Sequence, residues 1–208
     1  MNVHRAAVGD ELVVGVSGGM IGKGVVMRLD DDALEMSITR ESDPPPAIPL
    51  TLVLALPRPK VLNRVIAGVT SLGVKNIHLV NAWRVEKSYW SSPKLSYENL
   101  LLQRTLGLEQ ARDTILPTIG LHRLFRPFVE HELPAIAKDS LALVAHPRAK
   151  SECPRTVEGA VTLAVGPEGG FIDAEIGSLE RAGFTPVSLG ARILRVETAV
   201  ATLIGRLY

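Results

Sequence analysis

Leu50 to Leu56 reads Leu-Thr-Leu-Val-Leu-Ala-Leu, an apolar run interrupted by a single threonine. A strand without polar alternation has to be covered on both faces, which in practice means a parallel sheet held between helices. The chain beyond it fits that demand. Lys60 to Leu72 places Leu62, Val65, Ile66, Val69 and Leu72 at helical spacing, with Gly73 as a stop. A strand over Ile77 to Val80, a helix from about Tyr97 to Arg112 and a short strand at Thr114 to Leu116 follow. Leu141 to Ala145 and Val161 to Val165 are two further apolar strands. Asp173 caps a helix to Ala182, and Thr185 to Leu189 precedes a last helix from about Glu197 to Tyr208. Strands alternating with helices predict an α/β fold with a mostly parallel sheet.

The first forty residues follow a different pattern. Glu11 to Val16, Ile21 to Leu29 and Ala33 to Ile38 are β-prone and are separated by Ser17-Gly18-Gly19 and by Asp30-Asp31-Asp32. They predict a small antiparallel sheet, too little on its own to be very stable. Asp43-Pro44-Pro45-Pro46 is a stiff extended linker and the clearest boundary in the sequence. The expected division is a small β domain over 1–43 and an α/β domain over 50–208.

A hydrophobic content of 46% supports a real core and argues against wholesale disorder. Cys153 is the one cysteine, the five histidines lack ligand spacing, and no apolar run reaches membrane-spanning length. The chain therefore reads as soluble and cytoplasmic, with no metal and no membrane partner. Net charge is only +1, but it is unevenly spread. Residues 58–94 hold seven bases (Arg58, Lys60, Arg64, Lys75, Arg84, Lys87, Lys94) against Glu86 alone, and also Trp83, Tyr89 and Trp90. Bases beside aromatics suit phosphate neutralisation and base stacking on single-stranded RNA; a solvated face with core aromatics fits the same composition.

Two stretches carry the chemistry, each placed after a predicted strand. One is Gly166-Pro167-Glu168-Gly169-Gly170-Phe171; the other runs from Leu189-Gly190-Ala191-Arg192 through Ile193-Leu194-Arg195-Val196-Glu197-Thr198. Ligands of open α/β sheets bind beyond the carboxyl ends of the strands, and glycines there let backbone groups approach a ligand closely. Neither the Lys-Ser/Thr of a P-loop nor a dinucleotide fingerprint is present.

Together, in this order and about twenty residues apart, the two stretches resemble the SPOUT superfamily of methyltransferases, and within it the ribosomal RNA small subunit methyltransferase E family. Leu52-Val53-Leu54-Ala55-Leu56-Pro57, Leu72-Gly73-Val74, Leu108-Glu109-Gln110-Ala111-Arg112 and Pro117 extend the likeness over residues 50–208. The resemblance implies an α/β knot, that is a mostly parallel sheet with a C-terminal trefoil knot, preceded by a PUA-like β-barrel domain. It also implies a homodimer that uses S-adenosylmethionine to methylate N3 of a uridine in 16S ribosomal RNA, with ribosomal RNA or the small subunit as partner. Carried onto this chain, it gives Leu163, Gly166, Glu168 and Gly169 as one wall of the cofactor site. Leu189, Gly190, Ile193, Leu194, Arg195 and Thr198 form the other. Glu168 and Glu197 are candidate bases for the N3 proton, Arg192 and Arg195 candidate stabilisers of charge on the uracil, and Arg84, Glu109, Gln110 and Arg112 candidate substrate contacts. The other reading of Arg195 and Glu197 is a surface ion pair, and that of Val200, Leu203, Ile204 and Leu207 on the last helix is either a dimer face or core.

The sequence departs from the family pattern in three places. The first barrel strand is reduced to His4 and Arg5, in a β region that is net acidic; Thr70-Ser71 stands where Thr-Glu is common; and Ala191 replaces a frequent proline. These changes bear on the RNA more than on the reaction. Two alternatives stay open: a knotted RNA-binding or assembly protein without catalysis, and a methyltransferase acting on a different RNA nucleotide.

Overall fold

The structure, a computed structural model, describes residues 6–208. His4 and Arg5 lie outside the described residues. Strands β1 (Glu11–Gly15), β2 (Ile21–Leu29) and β3 (Leu34–Ser42) form an antiparallel three-stranded sheet in the order β1-β2-β3. Gly22 sits in β2 where a Cβ would come within 1.9 Å of the Thr39 carbonyl oxygen, beside a register shift in the β2–β3 pairing. After Ser42 the chain runs through Pro44–Pro46 without regular structure to β4 (Leu50–Ala55).

The remainder is a seven-stranded sheet, parallel throughout, in the order β6-β5-β4-β9-β7-β10-β8. In chain order its other elements are α1 (Pro59–Ser71), β5 (Asn76–Val80), α2 (Tyr97–Ala111), β6 (Thr118–His122), α3 (Phe125–Pro127), α4 (Leu133–Ala137), β7 (Leu141–Ala145), β8 (Ser151–Glu152), β9 (Val161–Val165), α5 (Asp173–Arg181), β10 (Thr185–Ser188) and α6 (Val196–Leu207). The double covering expected of Leu50 to Leu56 is present: consecutive residues Leu52 to Leu56 are all buried. Helix α1 packs against α2 and α6, and α5 against the 125–137 segment and β10. Val200, Leu203, Ile204 and Leu207 are buried in this core, so the apolar face of the last helix is spent inside the chain.

One expectation is corrected, and one element has no counterpart in the sequence reading. The strand at Thr114 to Leu116 is a connector, and β6 begins at Thr118, one residue past Pro117. Proline lacks a donor for the ladder, and the connector's groups bond elsewhere: Ile115 N–H to Asp113 at 2.9 Å, and the Thr114 carbonyl to Gly18 N–H at 2.8 Å. The helical segment 125–137 was not foreseen. Pro127 and Pro134 hide it by breaking its regularity into α3, a π-turn over Phe128–Glu132 and α4.

The α1–α2 crossing depends on Gly107. A Cβ there would lie 2.5 Å from the Ala67 carbonyl and 2.6 Å from Thr70 Cβ, neither of which yields easily. At the other side of β5, His78 Nδ1 and His122 Nε2 are 3.0 Å apart, and His122 Nδ1 is 3.4 Å from Glu132. Burial, and then the charge of His122, push the His78 pKa below its ordinary 6.5, while Glu132 acts in the opposite sense.

Gly107→Ala is expected to lower the unfolding free energy by about 1–2 kcal/mol, despite a helix-propensity gain of about 1 kcal/mol. Urea denaturation reads this as a lower midpoint at unchanged slope; an unchanged midpoint would mean that the helices have room to spare. A second expectation concerns acid. The unfolded chain takes up the His78 proton as the pH falls through 6.5, before the native state does. Stability from this group is therefore full above that pH and is lost as the pH drops towards the folded pKa. Melting temperatures between about pH 7.5 and 5 should fall less steeply for His78→Asn than for wild type, given the ordinary titration range of histidine; parallel curves would refute the assignment.

Candidate cofactor cleft

Strands β9, β7 and β10 lie near one another and run in the same direction, so the loops leaving them emerge at one edge of the sheet. These loops are Gly166–Ile172, His146–Arg148 and Leu189–Arg195, and they enclose a cavity of about 590 Å³. That size is ordinary for a small-molecule site. Val165, Val187 and Leu203 give it apolar surface, and the glycine-bearing backbone gives it polar surface.

The 166–172 loop has its shape because of its glycines and one buried carboxylate. A Cβ on Gly166 would stand 2.9 Å from the Phe171 nitrogen and 3.2 Å from Gly170, so the loop folds back on itself only with glycine there. Gly170 adopts φ +72° and donates to the Pro167 carbonyl at 2.7 Å, closing a tight turn. Phe171 is buried and packs near Phe125, and Glu175, only 6% exposed, holds the exit of the loop. One Glu175 oxygen accepts the Ile172 N–H at 3.0 Å; the other accepts the Trp83 N–H at 2.7 Å, in the loop after β5. The expected cap of α5 was Asp173, but Ile172 occupies the cap position and Glu175 reaches back to it.

Other contacts fix the rim. The Arg58 N–H donates to Glu168 Oε1 at 3.0 Å, and the Arg84 guanidinium donates to the Gly169 carbonyl. The Arg148 N–H donates to His146 Nδ1 at 3.3 Å, which leaves the proton of a neutral imidazole on Nε2. Gly190 takes φ +108°, a turn that an L side chain resists, and Ile193 beyond it is 84% exposed.

Of the residues singled out in the sequence, the cavity wall gathers Gly166, Glu168, Gly169, Leu189, Gly190, Arg192, Ile193, Leu194 and Arg84. Leu163 is not on it. It shares a face of β9 with Val165 but sits two residues deeper, wholly buried. Arg195, the extended residue before α6, is also off the wall, as are Glu197 and Thr198, because α6 turns Val196, Ala199 and Leu203 towards the cavity. Glu197 instead meets Arg64 at 3.2 Å, a partly exposed pair of the surface kind. Glu109, Gln110 and Arg112 are exposed at the end of α2, next to Asp113, which pairs with Lys75 just before β5. That is the amino-terminal end of the sheet, away from the cavity. Ala145, His146, Pro147 and Arg148 line the cavity without having been singled out. The carboxyl-end rule, applied to Leu141 to Ala145 as it was to the other strands, would have found them. Among the described residues no group of three or more His, Cys, Asp or Glu side chains is placed to hold a metal ion.

A family model described as "RNA methyltransferase domain" matches residues 44–208. Ribosomal RNA small subunit methyltransferase E of Treponema pallidum is 35% identical over 155 residues, 73% of this chain and 58% of that protein. The Synechocystis protein of the same name is 29% identical over 203 residues, 95% of this chain and 65% of its own length. This chain thus spans about three fifths of these two relatives. A putative methyltransferase from Legionella pneumophila, solved in complex with its bound cofactor SAM, superimposes with TM-score 0.78 at 26% identity over 98% of this chain and 84% of that one. The small subunit methyltransferase E of Neisseria gonorrhoeae, bound to S-adenosyl methionine, shares the fold with TM-score 0.77 at 21% identity, over 98% of this chain and 84% of that one. With residues 44–208, about four fifths of its length, matched by the family model, the chain belongs to the RNA methyltransferase domain family and is a relative of the ribosomal RNA small subunit methyltransferase E proteins.

Proposed function

We propose that this protein is an S-adenosylmethionine-dependent methyltransferase acting on N3 of a uridine in 16S ribosomal RNA. The observation that carries the reading is the convergence of three strand-end loops on one cavity, with Gly166 placed where any Cβ would meet backbone. The volume suits a nucleoside-sized cofactor, and the bound cofactor of the Legionella relative supports its identity. Apolar side chains from Val165, Leu189 and Leu194 suit an adenine face, and the 166–170 and 188–191 backbone suits its polar edges. Leu163 supports that wall from within the core and is no longer a contact residue in this reading.

Bound there, the cofactor supplies an electrophilic methyl group on a sulfonium. The chain's residues have two tasks: to align the uracil N3 with that methyl, and to manage the N3 proton. Methyl transfer would form the N–C bond as the methyl–sulfur bond breaks and a neutral thioether leaves, so that the N3 proton would have to pass to an acceptor on the chain. Glu168 lies on the cavity rim and Glu197 is turned away towards Arg64, so Glu168 is the better base. By the same criterion Arg192, on the wall, rather than Arg195, would stabilise negative charge developing on the uracil oxygens.

The division into a PUA-like domain over 1–43 and a knotted methyltransferase domain over 50–208 belongs to this reading. Its support is the antiparallel sheet before Ser42 and the way the chain end is tucked in. Thr156 and Val157 donate to the Arg206 and Leu207 carbonyls at 3.2 and 2.6 Å, Arg206 bonds back to the Cys153 carbonyl, and the Tyr208 hydroxyl reaches Pro49 O at 2.8 Å. A trefoil knot would leave the last helix in such an embrace. Action as a homodimer on ribosomal RNA or the small subunit, in the cytoplasm where ribosomes are assembled, completes the proposal. No helix among the described residues is long and apolar enough to cross a membrane.

Calorimetric titration with S-adenosylmethionine should show binding by the wild type and at least about tenfold weaker binding by Gly166→Ala, a loss of about 1.4 kcal/mol. Thermal melts of both proteins separate a damaged cleft from an unfolded chain. Failure of well-folded wild type to bind, with or without RNA, would discard the enzyme in favour of a non-catalytic RNA-binding protein. With 16S RNA or small subunits as acceptor, mass mapping should find 3-methyluridine. Glu168→Gln should slow its formation about 10²–10⁴-fold with cofactor affinity retained, the range of a lost general base. A methyl group on ribose or on another base would replace the N3 assignment.

A further inference from the structure

We propose that Trp83 is a stacking platform for an unpaired RNA base at the lip of the cleft, an inference that rests on the methyltransferase reading above. Tryptophan is usually well buried, yet Trp83 is 79% exposed, whereas Trp90, seven residues on, is 8% exposed with its indole N–H on Asn81. The exposure is not that of a loose loop. Ala82 and Val85 on either side are buried, and the Val85 N–H closes a turn on the Ala82 carbonyl at 3.0 Å. The Trp83 N–H is held at 2.7 Å by Glu175, the carboxylate that also holds the exit of the 166–172 loop. The neighbouring Arg84 lines the cavity and bonds the Gly169 carbonyl. The backbone of Trp83 is thus tied to the cofactor loop from two sides while its ring is left in water. A large apolar ring carried on an ordered backbone beside a cleft has only its two side-chain torsions left to fix when a ligand arrives, a small ordering cost.

Its surroundings select the occupant. Arg84 adjoins it, and Lys87 and Arg58 belong to the same basic stretch; Arg58 is within reach of Tyr89, and Glu86 is engaged by the Tyr89 hydroxyl at 3.1 Å. A solvent-facing aromatic beside Arg84, on a stretch rich in bases, fits a polyanion that carries flat bases, and single-stranded RNA is that ligand. A second copy of this chain would be expected to prefer a patch with more apolar neighbours. Of the three aromatics in the basic stretch, only Trp83 is offered to solvent: Tyr89 is half-buried and Trp90 is core.

The chain holds two tryptophans, so fluorescence can report on one of them. Titration of the wild type with a twelve-residue oligouridylate should quench emission saturably. The quench should vanish in Trp83→Ala, with oligonucleotide affinity by anisotropy reduced about tenfold, the order expected for one lost stack. Trp83→Phe should restore most of that affinity, and S-adenosylmethionine affinity should be the same in all three proteins. Equal oligonucleotide affinity in wild type and Trp83→Ala would overturn the proposal. So would a Trp83→Ala protein that merely changes from dimer to monomer in sedimentation at unchanged RNA affinity, which would make the ring an interface residue. If the wild type bound no cofactor but kept a Trp83-dependent quench, the methyltransferase reading would fall and the platform would stand.

Discussion

The pairing of β9 between β4 and β7 organises everything else in the larger sheet. Val161 to Val165 bonds in parallel to Leu50 to Leu54 on one side and to Leu141 to Ala145 on the other. Parallel pairing of a strand with a long-separated partner is entropically expensive, and here it is driven by burial of every residue of β9. Because all seven strands point the same way, this insertion, with the pairing of β10 on the far side of β7, brings the ends of β7, β9 and β10 to a common edge. The cleft is a consequence of strand order before it is a consequence of any particular side chain.

Strand order places the loops; Glu175 joins one of them to its surroundings. A carboxylate that is 6% exposed carries a large desolvation cost unless its oxygens are bonded. Both are, and to backbone donors in different segments, Ile172 and Trp83. Charge-assisted bonds of this sort are among the stronger ones available. They tie the turn after β5 to the exit of the glycine loop after β9. Arg84 on Gly169 and Glu168 on the Arg58 N–H add two further ties between the same regions. A loop rich in glycine would otherwise be mobile; here its geometry is set by contacts that leave its inner backbone free to face a ligand.

The sequence disclosed what depends on local pattern. The apolar strands at 141–145 and 161–165 and the helices around 60–72 and 97–112 follow from periodicity and stop signals, and the structure has them within a residue or so. The two glycine-bearing stretches pointed to the cleft because each follows a strand. What stayed hidden depends on tertiary placement. Whether Arg195 or Val196 faces the cavity is a matter of the phase of α6, which one turn of helix does not reveal. Leu163 and Val165 look alike in sequence and differ only in depth. The displaced β6 shows a proline and an aspartate redirecting a β-prone segment, and the 125–137 helix shows two prolines masking one. Glu175 reads as an ordinary helical acid until its partners are known, and the sequence leaves Trp83, Tyr89 and Trp90 alike open to base stacking or to the core until exposure separates them.

The small sheet stands in a different energetic position. Its three described strands leave Val13, Met27, Leu34 and Ile38 about half exposed or more. Its described attachment to the larger body includes Gly18 and Gly19, which bond both backbone and side chain of Thr114, with Gly15 packed so near Thr114 that a Cβ would fall at 2.6 Å. That attachment is at the amino-terminal end of the large sheet, beside Glu109 to Arg112, whereas the cleft is at the opposite end. Charge is divided along the same axis: the acids of residues 10–35 lie in the small sheet and its turns, and Arg58, Arg84 and Arg148 flank the cleft. A polyanion approaching one chain is therefore drawn to the cleft end and gains least from the small sheet, since attraction beyond about 10 Å is screened at ordinary salt. On this chain, the arginines that a polyanion would meet and the candidate cofactor cleft sit at the same end of the molecule.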